Sequence, residues 1–412
     1  MSHATFQGRR VVVGVCGGIA AYKACDVISR LRQSGAQVRV IATRSALEFV
    51  GETTLRSLSG CNVASEMFGD YPTVDIQHIS LAEFGEVIIV VAATANVIAK
   101  VAAGICDDLL TTTICAASGK VIFAPAMNWR MWENPINLRN VQTLKELGYG
   151  FVGPDCGYLA CGESGQGRLC PAEDILDAVD QGLGPVDSKL KGRRVLITCG
   201  PTREWIDPVR FISNPSSGKM GFALAQEAMA RGAEVTIVRG PTDLRPPWGA
   251  QVVPVETTRE MLDAVLAAYD GCDVLIGAAA PVDFTPAAPA QQKIKKFGGS
   301  ASLELVGTPD ILTSVSSLKG SRIHVGFAAE SENLEANAQA KLAAKALDLI
   351  CANDITAPGS GFGADTNEIA MYSRDGLTRH VDMTGKREVA IEILDEVETL
   401  LSTEAVSPQG GL

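Results

Sequence analysis

The stretch PAMNWRMWENP, residues 125–135, follows the apolar run 121–124 and sets two Met, two Trp, an Arg and two Asn between prolines. Proline disfavours helix in the residue before it, so Ala124 and Asn134 are expected to be extended and the stretch to begin and end as a loop. A plain surface loop would be Gly, Ser and Asp. A loop this apolar, with the amide of Asn128 set in it, suits the wall of a pocket for a flat, apolar ligand, with Met127, Trp129 and Met131 as lining.

Other residues able to do chemistry stand after the other apolar runs of this half. GVCGGIAAYKA places Gly17, Gly18 and Ile19 between the run 11–15 and a helix start. Backbone N–H groups there can hold a phosphate, although a tight strand–helix turn asks for glycine as well. Thr43 and Ser45 follow the run 38–42, either as ligand hydroxyls or as helix caps. Thr94 and Asn96 follow the run 87–92 in a setting otherwise nearly all apolar. Together these groups suit a flat ring system ending in a single phosphate. Ile41 and Ala42 occupy the place where a dinucleotide fold wants an acid, so flavin mononucleotide (FMN) fits better than NAD.

In the second half, CGPTREWIDPVRFISNPSSGKMG invites a phosphate-loop reading. It fails, because Ser213 stands where the first glycine belongs and Met220 replaces the final hydroxyl residue. What remains is a strand, a long polar loop and a helix starting near Ser217, still a good place for phosphate. AAAPVDFTP supplies Asp283, and QQKIKK supplies Lys293, Lys295 and Lys296, a solvated basic run or cations aimed at a triphosphate. Cys156, Cys161 and Cys170 match no common zinc spacing and have no His near them.

These residues need elements to hold them. Strands 11–15, 38–42, 87–92 and 121–124 alternate with helical stretches, as do 195–199, 235–238, 274–279, 324–328 and 349–352. The alternation predicts two doubly wound, Rossmann-like α/β domains, in which ligands bind beyond the carboxyl ends of the strands. Both halves open with Gly-Arg-Arg-Val, at Gly8 and Gly192. The expected division is a domain over 1–180, a Gly/Pro linker over 181–191, a domain over 192–402 and a disordered tail over 403–412.

Composition narrows the classes. With 412 residues, 46% hydrophobic and only 20% charged, the chain can build large cores and bury surface between domains or subunits. A net charge of −11 argues against nucleic-acid binding. The 11 scattered cysteines fit reduced thiols in the cytoplasm, and glycines break the apolar run after Arg10 that mimics a secretion signal.

GGIAAYK, DIQHISL, ATAN, PAMNWRMW and ACGESGQGRL resemble the flavin-dependent cysteine decarboxylases. From about residue 8 to about 400, the order and spacing of motifs resemble the bacterial bifunctional phosphopantothenoylcysteine decarboxylase / phosphopantothenate–cysteine ligases of coenzyme A synthesis. The resemblance implies a flavodoxin-like FMN domain followed by a CTP-dependent ligase domain. FMN would oxidise the thiol-bearing carbon to a thioaldehyde, which acts as electron sink while carbon dioxide leaves.

The roles follow by motif. His78 takes the thiol proton, Asn128 orients the leaving carboxylate and Cys161 protonates the ene-thiol. In the ligase half the resemblance makes Asn214 catalytic, with Arg210 in the same site, and makes Lys293 the critical lysine. It gives Asp283, Pro309, Asp310, Ile311, Leu312, Phe327, Lys341 and Lys345 to CTP. Lys341 and Lys345, four apart, are expected on one helical face, which would otherwise be merely solvated. The implied substrates are 4'-phosphopantothenate, L-cysteine and CTP with magnesium, whose ligands remain unassigned; Asp283 is a candidate. The implied assembly is a homo-oligomer, a dodecamer of decarboxylase trimers and ligase dimers. A regulatory flavoprotein would have lost Asn128 or Cys161, and a mere C-terminal scaffold would not carry Asn214 and Lys293.

Overall fold

The computed structural model describes residues 6–68, 76–160, 162–185, 187–295, 302–330, 334–354 and 363–404. The chain divides into two compact units, His3–Gly184 and Pro185–Leu412.

In the first unit β1 (Arg10–Val15), β2 (Gln37–Ala42), β3 (Val63–Ala64), β4 (Val87–Ala93), β5 (Lys120–Pro125) and β6 (Gly150–Phe151) form one sheet. They pair in the order β3-β2-β1-β4-β5-β6, every pair parallel. Parallel strands covered by helices on both faces are continuous apolar runs, and β4, VIIVVAA, is buried at every residue. The order reverses between β1 and β4, which opens a crevice at their carboxyl ends. Without the two-residue β3 it is the flavodoxin-like order. A hairpin, β7 (Asp155–Tyr158) with β8 (Ser164–Arg168), stands outside the sheet.

The second unit repeats the plan. The strands of its main sheet are β9 (Arg194–Cys199), β12 (Glu234–Arg239), β13 (Gln251–Pro254), β14 (Val274–Gly277), β17 (Ile323–Glu330), β18 (Leu349–Asp354), β19 (Thr366–Ser373) and β20 (Gly376–Gly385). Their order is β13-β12-β9-β14-β17-β18-β19-β20, parallel as far as β18 and antiparallel beyond it. The reversal falls between β9 and β14. Two hairpins leave the sheet near it: β10 (Arg203–Asp207) with β11 (Arg210–Ser213), and β15 (Phe284–Pro286) with β16 (Leu305–Gly307).

The boundaries differ from the expected ones where side chains find partners. The helix starts at Lys219 rather than Ser217, because Gly218 caps it in the left-handed region at φ 80°. Strand β14 stops at Gly277, and the Ala279 N–H turns instead to the Thr198 hydroxyl. The stretch 181–191 is held at both ends. Gln181 and Gly182 close the helix Ala172–Gly182, Leu183 is buried, and Leu190 is fully buried in the second unit's core. Thr403 and Glu404 end the helix Lys386–Glu404, and 405–412 lie outside the described residues. Among the described residues no helix is long and apolar enough to cross a membrane.

One core group makes the second unit sensitive to pH. His324 of β17 is fully buried with Nε2 2.7 Å from the Tyr269 hydroxyl, while Nδ1 finds no partner among the described residues. Burial pushes its pKa down to about 4, with Lys319 adding to the shift and Asp348 opposing it. The folded state therefore refuses a proton that the unfolded chain accepts below its ordinary value near 6.5. That contribution to stability is complete above about pH 6.5 and is lost as pH falls towards 4. Urea unfolding of the second unit should need less denaturant at pH 5 than at pH 7. The full effect is up to about 3 kcal/mol, and a His324→Phe variant should lose that part of the slope.

Candidate active sites

Hydrogen bonds stitch the strand ends of the first unit together. The Cys16 N–H donates to the Val91 carbonyl (3.3 Å), the Thr43 N–H to Val15 (3.0 Å) and the Ala126 N–H to Ala93 (3.1 Å). Gly17, Gly18 and Ile19, Thr43 and Ser45, Thr94 and Asn96, and Met127 and Asn128 thus share one edge of the sheet. Gly17 is required by contact, since a Cβ there would lie 2.3 Å from the Ser45 Cβ. Gly18 is different: the nearest atom to its Cβ position is the Thr94 methyl at 3.9 Å, so the glycine faces open space between the ends of β1 and β4. A 3-10 turn, Ile19–Lys23, follows where an α-helix was expected, and Ile19 is 63% exposed.

Thr43 and Thr94 do cap helices, accepting from the Ala46 and Val97 N–H groups. A capping oxygen still has its hydroxyl proton to donate. β4 ends in a register break with Ala92 at φ 54°, rare for a residue with a side chain, and this break aims Thr94. Cys16 beside it is a core thiol, pushed up to about 12 by burial.

The 125–135 loop contains a helical turn, Trp129–Trp132, capped by Asn128, whose Oδ1 accepts from the Arg130 N–H at 2.9 Å. Its apolar content divides. Trp132 is buried in the core with Met127 packed at the core's edge, and Met131 faces outward at 49% exposure. Trp129 is held by the β7–β8 hairpin: its Nε1 donates to Glu163 Oε2 at 2.7 Å, and Gly165 packs against its ring. The Met127 N–H donates to the Gly167 carbonyl at 2.9 Å, so the hairpin sits on the residues flanking Asn128. Of the expected lining, Trp129 thus has protein partners in the hairpin, and Met131 is exposed. Cys161 lies outside the described residues; the hairpin of β7 and β8 is anchored on the Asn128 loop through Glu163. That acid was not anticipated. His78, half-buried, is the second residue of the helix Gln77–Phe84. This helix ends shortly before β4 begins and packs on the helix Leu109–Ala116.

In the second unit the ends of β9 and β14 touch, Pro201 bridging to Ala280 and the Ala280 N–H donating to Gly200 (2.9 Å). Asn214 belongs to this seam, its Nδ2 donating to the carbonyls of Pro281 (2.9 Å) and Ala280 (3.3 Å). The Thr202 hydroxyl accepts from the Val282 N–H at 2.9 Å, and Asp283 follows, its carbonyl accepting from the Thr308 N–H at 2.9 Å. The segment from Pro309 is thereby laid beside Asp283. Asp310 caps the helix Ile311–Ser316 and pairs with Lys345 Nζ at 2.8 Å. Burial would raise the Asp310 pKa, but Lys345 and the Thr313 N–H hold it below the usual carboxylate range.

The face carrying Lys341 and Lys345 is therefore not simply solvated. Lys345 stands one residue past the helix Leu334–Ala344, its N–H still bonded to the Lys341 carbonyl. Ile311 is buried and Leu312 packs on the core, so those two side chains serve packing and leave only backbone for a ligand. Phe327 is half-buried against the core. Arg210 pairs with Asp207 at 2.8 Å, and Lys293 is exposed nearby in the chain segment that Asp207 also holds. Among the described residues no group of three or more His, Cys, Asp and Glu could hold a metal ion.

Two sheets, each parallel about its reversal point and each with ligand-type residues there, define a two-site α/β protein. Residues 2–184 match the family described as Flavoprotein, and residues 190–401 match the DNA/pantothenate metabolism flavoprotein C-terminal domain. The chain is 47% identical over 396 residues to the coenzyme A biosynthesis bifunctional protein CoaBC of Bacillus subtilis (strain 168), covering 96% of this chain and 98% of that protein. The proteins of the same description from Vibrio vulnificus (strain YJ016) and Escherichia coli (strain K12) are 40% and 41% identical. Each match covers 96% of this chain, and 99% and 98% of the relative. The chain belongs to the family of coenzyme A biosynthesis bifunctional proteins. It is an enzyme of two activities, a decarboxylase and a ligase.

Proposed function

We propose that the His3–Gly184 unit decarboxylates phosphopantothenoylcysteine with FMN, and that the Pro185–Leu412 unit makes this intermediate from 4'-phosphopantothenate, L-cysteine and CTP. The observation that carries the reading is the gathering of ligand-type residues at each sheet's reversal point, Gly18 and Thr94 at one and Asn214 at the other. The crevice fits a flavin phosphate: Gly18 leaves open space beside hydroxyls, and no acid stands in the way at Ile41 or Ala42.

FMN held there would accept a hydride from the thiol-bearing carbon of the substrate and give it back after carbon dioxide has left, so that no external oxidant or reductant is consumed. His78 takes the thiol proton. Asn128 orients the carboxylate, a neutral amide letting carbon dioxide depart where Arg or Lys would hold the anion. Cys161 returns a proton to the ene-thiol. In the ligase the phosphopantothenate carboxylate displaces pyrophosphate from CTP, and the amine of cysteine then displaces CMP. Arg210 and Lys293 balance phosphate charge, Asn214 steadies the acyl-cytidylate, and Asp310 with Lys341 and Lys345 borders the nucleotide. Magnesium accompanies CTP as its counter-ion.

The enzyme works in the cytoplasm as a homo-oligomer, a dodecamer of decarboxylase trimers and ligase dimers. Free thiols among the described cysteines support the first statement. Exposed apolar side chains such as Tyr22 and Ile136, and Val209 and Phe284, support the second.

Purified protein given phosphopantothenate, cysteine and CTP should release pyrophosphate and carbon dioxide, with less of both when ATP replaces CTP. Pyrophosphate and ligated product without carbon dioxide would remove the decarboxylase assignment; absence of pyrophosphate would remove the ligase assignment, and the decarboxylase would then be tested on supplied phosphopantothenoylcysteine. The protein should also be yellow. Heating should release FMN, identified by chromatography, whereas FAD or a colourless folded protein would contradict the flavin assignment.

A further inference from the structure

The geometry points to Asp207 as a positioning residue of the ligase site, one that fixes Arg210 and the Lys293 segment relative to each other. This rests on the ligase roles proposed for those two residues. Asp207 ends β10 and is 1% exposed. Its Oδ1 accepts from the Val209 N–H (2.8 Å) and the Arg210 N–H (2.9 Å). Its Oδ2 accepts from Arg210 Nη1 (2.8 Å) and from the Ile294 N–H (3.1 Å), 87 residues away. Arg210 Nη1 closes the figure by donating to the Ile294 carbonyl at 3.2 Å. The carboxylate thus holds a guanidinium and the Ile294 N–H, and the guanidinium in turn holds the Ile294 carbonyl, so the pair fixes both polar backbone groups of the residue next to Lys293. A further bond, Ala290 N–H to the Ile206 carbonyl at 2.9 Å, lays the same segment along the hairpin.

A salt bridge that served stability alone would need only the guanidinium. Here the carboxylate uses one oxygen to shape the β10–β11 turn that presents Arg210 and the other to dock a distant loop. A carboxylate is the one side chain that accepts on both oxygens without offering a proton. Burial acts to raise its pKa, but the Val209, Ile294 and Arg210 N–H groups and the Arg210 charge hold it below the usual carboxylate range. It stays ionised throughout the working range. Asn would replace an acceptor by a donor facing the Ile294 N–H or the guanidinium.

The test uses the full chain with CTP, phosphopantothenate and cysteine. For Asp207→Asn the ligation kcat is expected to fall about tenfold to a hundredfold, as misplacement of charged groups by an ångström does. KM for CTP should move less than about threefold, since the groups remain present but poorly placed. Carbon dioxide release from supplied phosphopantothenoylcysteine should be unchanged. In an Arg210→Gln background the same substitution should cost less than about threefold, because the arrangement is already broken. A general loss of structure would multiply equally in both backgrounds. Ile294→Pro, which deletes the docking N–H and leaves the carboxylate intact, should reproduce the kcat loss even where Asp207→Asn folds poorly. Wild-type kcat in both Asp207→Asn and Ile294→Pro, or equal losses in the two backgrounds, overturns the positioning role. Absence of CTP-dependent pyrophosphate from the unaltered protein would instead defeat the ligase reading beneath it.

Discussion

Lys293→Gln is expected to slow cysteine ligation by about 10²–10³-fold while leaving decarboxylation of supplied phosphopantothenoylcysteine at its normal rate. Removing a cation that acts on developing phosphate charge costs this much, because Gln keeps a polar end, one atom shorter, but not the charge. Folding should be indifferent, since Lys293 is exposed and exposed substitutions away from caps and buried pairs are nearly neutral. The two activities are assigned to separate compact units, so the decarboxylase serves as the internal control. The loss should exceed that of Asp207→Asn, which displaces the lysine without removing it. Pyrophosphate and ligated product should be followed separately. A fall in both places the lysine at activation of the carboxylate; ligation at the normal rate would reduce QQKIKK to a solvated basic run.

How far the sites could be read from the sequence depends on how local their causes are. β1, β2, β4 and β5 were legible because a strand buried on both faces reads as a near-continuous apolar run, as VIIVVAA does. Gly18 and Thr94 stand just beyond their carboxyl ends, and Asn214 stands at the seam between β9 and β14 in the second unit. The hairpins were not legible. REWID and RFIS read as a polar loop, yet they pair in antiparallel register with Trp205 and Phe211 ring to ring at 5.2 Å. Their charges mask the alternation, and the partner that stabilises each strand lies across a turn.

Asp207 and Glu163 were missed for a related reason. Each is a single acid whose meaning comes from a donor brought close by the fold, Ile294 N–H for one and Trp129 Nε1 for the other. Conversely, TPDIL reads as one ligand-binding motif, but the helix it begins turns Ile311 into the core and leaves Asp310 outside. Leu183 and Leu190 were lost inside a Gly/Pro stretch, although the burial of each makes that stretch the end of one core and the start of another.

The decarboxylase half is tested most sharply by where its reaction stops. Cys161→Ser should lower overall turnover by at least about 10³-fold, since a serine hydroxyl is too weak an acid to return a proton to the ene-thiol. Oxidation and loss of carbon dioxide precede that step. A stoichiometric burst of carbon dioxide should therefore appear, with bleached flavin absorbance and an oxidised thiol product that accumulates. His78→Asn should act earlier: without a base for the thiol proton the flavin stays oxidised and carbon dioxide is not released. The helix that begins with Gln77 and His78 packs against the helix Leu109–Ala116, with Leu81 in the core, so a change of similar volume at half-buried His78 should leave the fold intact. A stopped-flow flavin spectrum with carbon dioxide trapping separates the two variants in one experiment. If both stall with oxidised flavin, Cys161 acts before decarboxylation, in the oxidation of the thiol-bearing carbon rather than in the return of a proton to the ene-thiol.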